Sequence, residues 1–167
     1  MPGEPKRRVS GTDASALVDN GVLDNGALNI GLLCFIVQRA MEDRVLADLA
    51  AAGFDDVTVA QARVLARVGS KGTRVTDLAD QARVTKQTVT FMVDQLERAG
   101  YVRRVADPTD ARARLVIFAD RGLAAQEVAR RTEAVVEAEW TRHLGRRTTA
   151  RLHQILTQLR EITDPYR

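Results

Sequence analysis

The stretch TKQTVTFMVDQLERAG, residues Thr85 to Gly100, has the spacing of a helix but carries no carboxylate before Asp94. The first turn of a helix leaves N–H groups unpaired and partial positive charge exposed, so Asp or Glu is favoured there. Thr85 can cap this end through its hydroxyl. Lys86, Gln87, Thr88 and Thr90 then follow as hydrogen-bonding groups with no acid among them. Such an end suits an anionic ligand, which an acidic turn would repel. The side chains also fit the edges of base pairs. Lysine contacts phosphate or guanine, glutamine pairs bidentately with adenine, and the methyls of Thr88 and Thr90 and the ring of Phe91 can meet a thymine methyl. Each residue taken singly is equally an ordinary solvated position on a core helix, so the weight rests on the constellation.

Other elements must hold that constellation in place. Val89, Met92, Val93 and Leu96 recur at i, i+3, i+4 and i+7, which buries one face and turns Gln87, Phe91, Asp94 and Arg98 outward, with Lys86 and Thr90 on the flank. A shorter helix over about 76–82 precedes it across Arg83 and Val84, and the pair makes a helix-turn-helix. After Gly100, the runs YVRRV and LVIF flank ADPTDARAR, which fits a β-hairpin with a long, charged tip. This wing carries Arg103, Arg104, Arg112 and Arg114. Arginine at a hairpin tip suits a narrow minor groove. Arg112 is expected at the tip, and Arg104 as a contact to backbone phosphate common to all sequences.

The flanks are helical. A helix over about 28–52 stops at Gly53, and its centre, GLLCFIV, is apolar on nearly every side, as at a subunit interface. A second begins at Thr58 and ends before Gly69; two more are expected over about 120–144 and 148–162. Composition fits one globular unit: 167 residues, 45% hydrophobic, with a net charge of +3. The sequence pI is about 9.5, and the basic residues are nearly all arginine, the side chain suited to phosphate and guanine, although codon bias yields the same count.

Several function classes are disfavoured. The basic first residues are followed by no apolar h-region, so no secretory signal is expected and the protein is placed in the cytoplasm. The longest apolar run, Ile30 to Val37, is far short of the roughly 20 residues that span a bilayer, so no membrane partner is expected. There is no serine, histidine and acid set, no glycine-rich phosphate loop and no suitably framed carboxylate pair, so neither catalysis nor a cofactor is expected. His143 and His153 lie near helix ends with Glu139 as the nearest acid at helical spacing, too few ligands for a metal. Cys34 cannot form an intrachain disulfide, being the one cysteine. Apolar surroundings keep a thiol unreactive, and inert packing is the expectation for it.

The segments VTDLADQARVTKQTVTFMVDQLERAGYVRR and DPTDARARLVIF, in that order, resemble the multiple-antibiotic-resistance regulator (MarR) family of winged helix-turn-helix repressors. With its flanking helices the resemblance runs from about Leu28 to Ile162. It implies a mainly α fold: a winged helix-turn-helix with a small β-hairpin wing, and an all-helical dimerisation region built from N- and C-terminal helices. The corresponding divisions are a flexible arm over 1–25, a dimerisation helix over 26–57, a DNA-binding domain over 58–119 and C-terminal dimerisation helices over 120–167. It further implies a homodimer on a double-stranded, pseudo-palindromic operator, released by a small-molecule effector bound among the first, second and fifth helices. Thr85, Lys86, Gln87, Thr88, Thr90 and Phe91 would read the major groove. Arg103, Arg104, Arg112 and Arg114 would serve the wing, and Asp110 and Arg112 match the D-x-R signature in which the acid helps hold the arginine-bearing loop. Ala111 and Phe91 depart from the pattern, standing where many relatives have a second wing arginine and a polar or basic residue. Two alternatives remain: a redox-sensing repressor using Cys34, which has Gln38 and Asp48 where hydroperoxide-sensing relatives have tyrosines, and a winged-helix protein-interaction module.

Overall fold

The structure is a computed structural model that describes residues 22–23 and 26–166. The arm expected over 1–25 and the reading of the basic N-terminus thus lie outside the described residues, Val22 and Leu23 excepted. The chain separates into two units, residues 1–40 and 41–167.

In the first unit, Val22 and Leu28 form an isolated antiparallel bridge. The first helix, α1 (Ile30–Ala51), begins two residues later than its apolar pattern suggests. Asn29 accounts for this: its side-chain oxygen accepts the N–H of Leu32 at 2.8 Å and caps the end. Ile30, Leu33, Phe35, Ile36 and Val37 are all exposed. Cys34 is exposed as well, contrary to the inert packing expected of it. A helix apolar on every side has more apolar surface than one neighbour can cover.

The second unit begins within α1 and continues through α2 (Val59–Leu65). Thr58 and Gln61 form a capping box, with Gln61 N–H donating to the Thr58 hydroxyl and Thr58 N–H to the Gln61 side chain. A two-residue strand, β1 (Thr73–Arg74), leads into α3 (Val75–Ala82). Arg83 then takes the left-handed conformation at φ 55° and turns the chain into α4 (Lys86–Arg98). Val89, Val93 and Leu96 of α4 are buried with Leu78 of α3, Val64 of α2 and Val68, and Met92 packs against them partly buried.

The wing consists of β2 (Val102–Asp107) and β3 (Asp110–Phe118), antiparallel, with β1 on the far side of β3. Its tip is tighter than the expected long loop, since only Pro108 and Thr109 separate the strands. Asp107 closes this turn: one carboxylate oxygen accepts from the Thr109 N–H at 2.8 Å and hydroxyl at 2.6 Å, and the other takes Arg74 Nε and Nη2 at 2.8 and 2.6 Å. The register pairs Ala106 with Arg114 but Asp107 with Asp110. Residues 111–113 therefore have no partner on β2 and form a bulge. Arg112 sits in this bulge and not at the tip, which corrects the expected placement.

Two helices complete the unit, α5 (Asp120–Leu144) and α6 (Arg146–Thr163), joined at Gly145. The first turn of α5 lies directly on the start of the wing. A Cβ built at Gly122 would stand 2.0 Å from the Tyr101 carbonyl oxygen and 2.8 Å from Phe118 Cδ1. Replacing a helical glycine with alanine ordinarily stabilises by about 1 kcal/mol. Here the backbone contact cannot yield without moving α5, and overpacking of that kind costs about 1–3 kcal/mol or more. Gly122→Ala should therefore lower the urea midpoint, and an unchanged or raised midpoint would contradict the close approach.

The Asp107 carboxyl is held down from its ordinary 3.8 to about 2, chiefly by the two Thr109 donors and then by Arg74. A depressed carboxyl contributes stability that is complete above its unfolded value and is lost as pH falls through its folded value. The melting temperature of the wild type should therefore exceed that of Asp107→Asn near neutral pH, and the gap should close between about pH 4 and 2. A gap independent of pH across that range would count against the assignment.

Candidate nucleic-acid interface

The acid-free end of α4 is capped internally. The Thr85 hydroxyl accepts the Thr88 N–H at 3.1 Å and lies 2.7 Å from the Thr88 hydroxyl. The half-buried Thr90 donates its hydroxyl to the Lys86 carbonyl at 2.8 Å. With both hydroxyls occupied, each threonine has its methyl left for outside contacts. Lys86 and Gln87 are exposed, and their side chains have no hydrogen-bond or ion-pair partner among the described residues. Phe91 is 59% exposed on the same helix, a large apolar surface for a site with no internal neighbour to cover it.

The wing arginines divide into two groups. Arg103, Arg112 and Arg114 are exposed. Arg114 makes one contact of 3.3 Å to the adjacent Ala113 carbonyl, and the guanidinium groups of Arg103 and Arg112 have no partner among the described residues. Asp110 accepts the backbone N–H of Arg112 at 3.0 Å, so this carboxylate shapes the bulge that bears the arginine, and it lies 3.9 Å from Arg74. Arg104 is engaged elsewhere. Its Nη2 bonds Asp94 of α4 at 2.6 Å, its Nη1 bonds Glu97, and its backbone N–H donates to Glu97 at 2.9 Å. Arg104, expected as a phosphate contact, thus joins the wing to α4 through both carboxylates of that helix.

Sequence reasoning also missed the pair Arg74 and Asp107. The turn chemistry of Asp107-Pro108-Thr109 was legible, since Asp bonds its own backbone two residues on. Its partner on the two-residue β1, 33 positions earlier, has no local signature.

A separate cavity of about 310 Å³ lies in the second unit. Val45 and Leu49 of α1, Leu65 of α2, Tyr101, Phe118 and Ala125 of α5 supply apolar walls, and Gln126, Arg130 and Glu133 of α5 supply polar groups. Asp48, one position where a redox-sensing relative would carry tyrosine, accepts a hydrogen bond from buried Thr132 at 2.7 Å. Among the described residues no group of three or more metal-ligating side chains converges, and no helix is long and apolar enough to cross a membrane.

A sequence model of the MarR family matches residues 55–113. No curated protein sequence matches the chain. Among solved structures, apo wild-type MarR from E. coli superposes with a TM-score of 0.62 at 24% identity, over 80% of this chain and 97% of that one. Transcriptional regulator Tm0710 from Thermotoga maritima gives 0.55 at 25% identity, over 81% and 91%. A mutant of S. aureus MepR bound to an oligodeoxyribonucleotide gives 0.52 at 19% identity, over 80% and 96%. The matched residues hold the helix-turn-helix and the wing as far as its arginine-bearing bulge, so that this segment is similar to the MarR family, and the solved structures share the winged helix-turn-helix fold of the chain.

Proposed function

We propose that this protein is a sequence-specific, double-stranded-DNA-binding transcriptional regulator of the cytoplasm, acting as a homodimeric repressor released from a pseudo-palindromic operator by a small-molecule ligand. The observation that carries the reading is the outer face of α4: an N-terminal turn with no acid, free Lys86 and Gln87, and threonines whose hydroxyls are already bonded. Helix N-termini enter the major groove in this manner. The exposed Arg103, Arg112 and Arg114 add a second basic surface on the wing. The DNA-bound MepR mutant has the same fold. Self-association is supported in each unit separately, by exposed Phe35 and Val37 in the first and by Leu152, Ile155, Leu156 and Leu159 in the second. The cavity beside Tyr101 has the size and apolar walls of a small-molecule site.

Selection from a pool of random duplexes, repeated at two salt concentrations, tests the reading. An enriched palindrome with half-sites about 10 base pairs apart is expected, with affinity falling steeply as salt rises. Weak binding without sequence preference at both concentrations would favour the protein-interaction module instead. On the selected duplex, Gln87→Ala should cost about 1–3 kcal/mol at one base position and little elsewhere. Equal losses on every base variant would remove Gln87 from the readout. Phe91→Arg should shift the preference away from thymine at its position and steepen the salt dependence; an unchanged preferred sequence would exclude a thymine-methyl contact.

A further inference from the structure

The two carboxylates of α4, Asp94 and Glu97, are both bonded by one side chain, Arg104 of β2. Asp94 stands on the outer face of the helix, two turns from Lys86, and its side chain is 49% exposed. A carboxylate there, left unpaired, would set negative charge against the phosphates flanking a major groove and would oppose the counterion release that drives binding. Arg104 reaches it from the wing while only 25% exposed. In the same clasp, the Arg104 N–H and Nη1 take the two oxygens of Glu97. The guanidinium serves both carboxylates at once because its donors are fixed in a planar fork.

From this geometry we infer that Arg104 is a positioning residue for DNA binding, which acts by neutralising Asp94 and Glu97 of α4 and does not itself contact phosphate. The inference rests on the DNA-binding reading above. It assigns the arginines of one strand opposite roles. Arg103 is exposed and its guanidinium has no partner among the described residues, and Arg104, the next residue, faces α4 and has its charge answered within the protein.

The test measures binding to the duplex enriched from the random pool, across a salt series, for the wild type, Arg104→Gln, Asp94→Asn, and the triple variant Arg104→Gln with Asp94→Asn and Glu97→Gln. Arg104→Gln should weaken binding by about tenfold or more, because two carboxylates are then left unanswered beside the phosphates. The triple variant should recover most of that loss, because the carboxylates that Arg104 answers are gone. Asp94→Asn alone, a conservative change at an exposed site, should bind at least as tightly as the wild type. A slope still reduced by about one unit in the triple variant, the mark of a lost phosphate contact once both carboxylates are gone, would overturn the inference. So would a triple variant as weak as Arg104→Gln, which would mark a purely structural role, and so would loss of binding in Asp94→Asn. If the wild type binds no duplex, the DNA-binding reading falls and the inference with it; any of the other three results overturns the inference alone.

Discussion

The burial of Tyr101 is the constraint around which the second unit is arranged. Its side chain has no exposed surface, yet it carries a hydroxyl, and a buried hydroxyl is tolerated where it finds a partner. Asp56 supplies one at 2.5 Å, and Arg121 holds Asp56 in turn through contacts of 2.8 and 2.9 Å. The Arg121 guanidinium carbon lies 4.4 Å from the Tyr101 ring centroid, and its Nη1 also donates to the Ala99 carbonyl at the end of α4. Burial and the neighbouring carboxylate push the Tyr101 hydroxyl up, while the hydrogen bonds from Tyr101 and Arg121 hold Asp56 down. Both shifts favour a neutral phenol donating to an ionised carboxylate. The backbone of Tyr101 completes the node: its N–H closes α4 on Leu96, and its carbonyl accepts the Ala119 N–H and lies against Gly122. The end of α4, the start of the wing and the first turn of α5 thus have one residue in common. Tyr101 also lines the cavity, so any occupant of that space meets the residue that fixes the end of α4.

A net charge of +3 conceals the division of labour among the arginines. Arg74, Arg104 and Arg121 each answer a carboxylate within the fold, at Asp107, at Asp94 and Glu97, and at Asp56. Arg63 does the same for Glu42, whose carboxyl it holds below the usual range. Exposed ion pairs contribute little to stability individually. Their effect here is to withhold those arginines from outside ligands, whereas Lys86, Arg103, Arg112 and Arg114 are among the cations that no carboxylate answers among the described residues. A local excess of one sign steers a charged ligand even when the whole molecule is nearly balanced.

What the sequence disclosed follows the range of the interactions involved. The helices were legible where the signal was local: α5 has the bounds its pattern implied, and the Thr85 cap and the stripe of Val89, Val93 and Leu96 follow from spacing alone. The wing was legible as a hairpin but not in its details. The turn at Pro108 and the bulge of residues 111–113 depend on where β3 finds its register against β2, and no local pattern fixes that. The two-residue β1 was invisible because so short a strand has no period. The bonds of Arg104 to α4 were not legible for a related reason: a run of arginines on a strand tells nothing of which alternate member meets a carboxylate on another element. The exposure of Cys34 in the single chain was not legible because burial frequency describes a residue type and not a position.

The α6 helix bears on the same point from the energetic side. None of its residues is buried, and its apolar stripe of Leu152, Ile155, Leu156 and Leu159 is exposed along the helix. Helical stability in proteins comes mainly from packing an amphipathic face and only weakly from intrinsic propensity. A stripe at i, i+3, i+4 and i+7 that meets no core among the described residues therefore lacks the term that ordinarily keeps a helix of 18 residues folded. Covering one such leucine or isoleucine recovers about 1.5–3 kcal/mol, and several together exceed what is needed to order the side chains of a second copy. In the proposed homodimer the dimer contact would accordingly complete the fold of α6 as well as set the spacing of two recognition helices. Self-association and operator geometry would then rest on the same leucines.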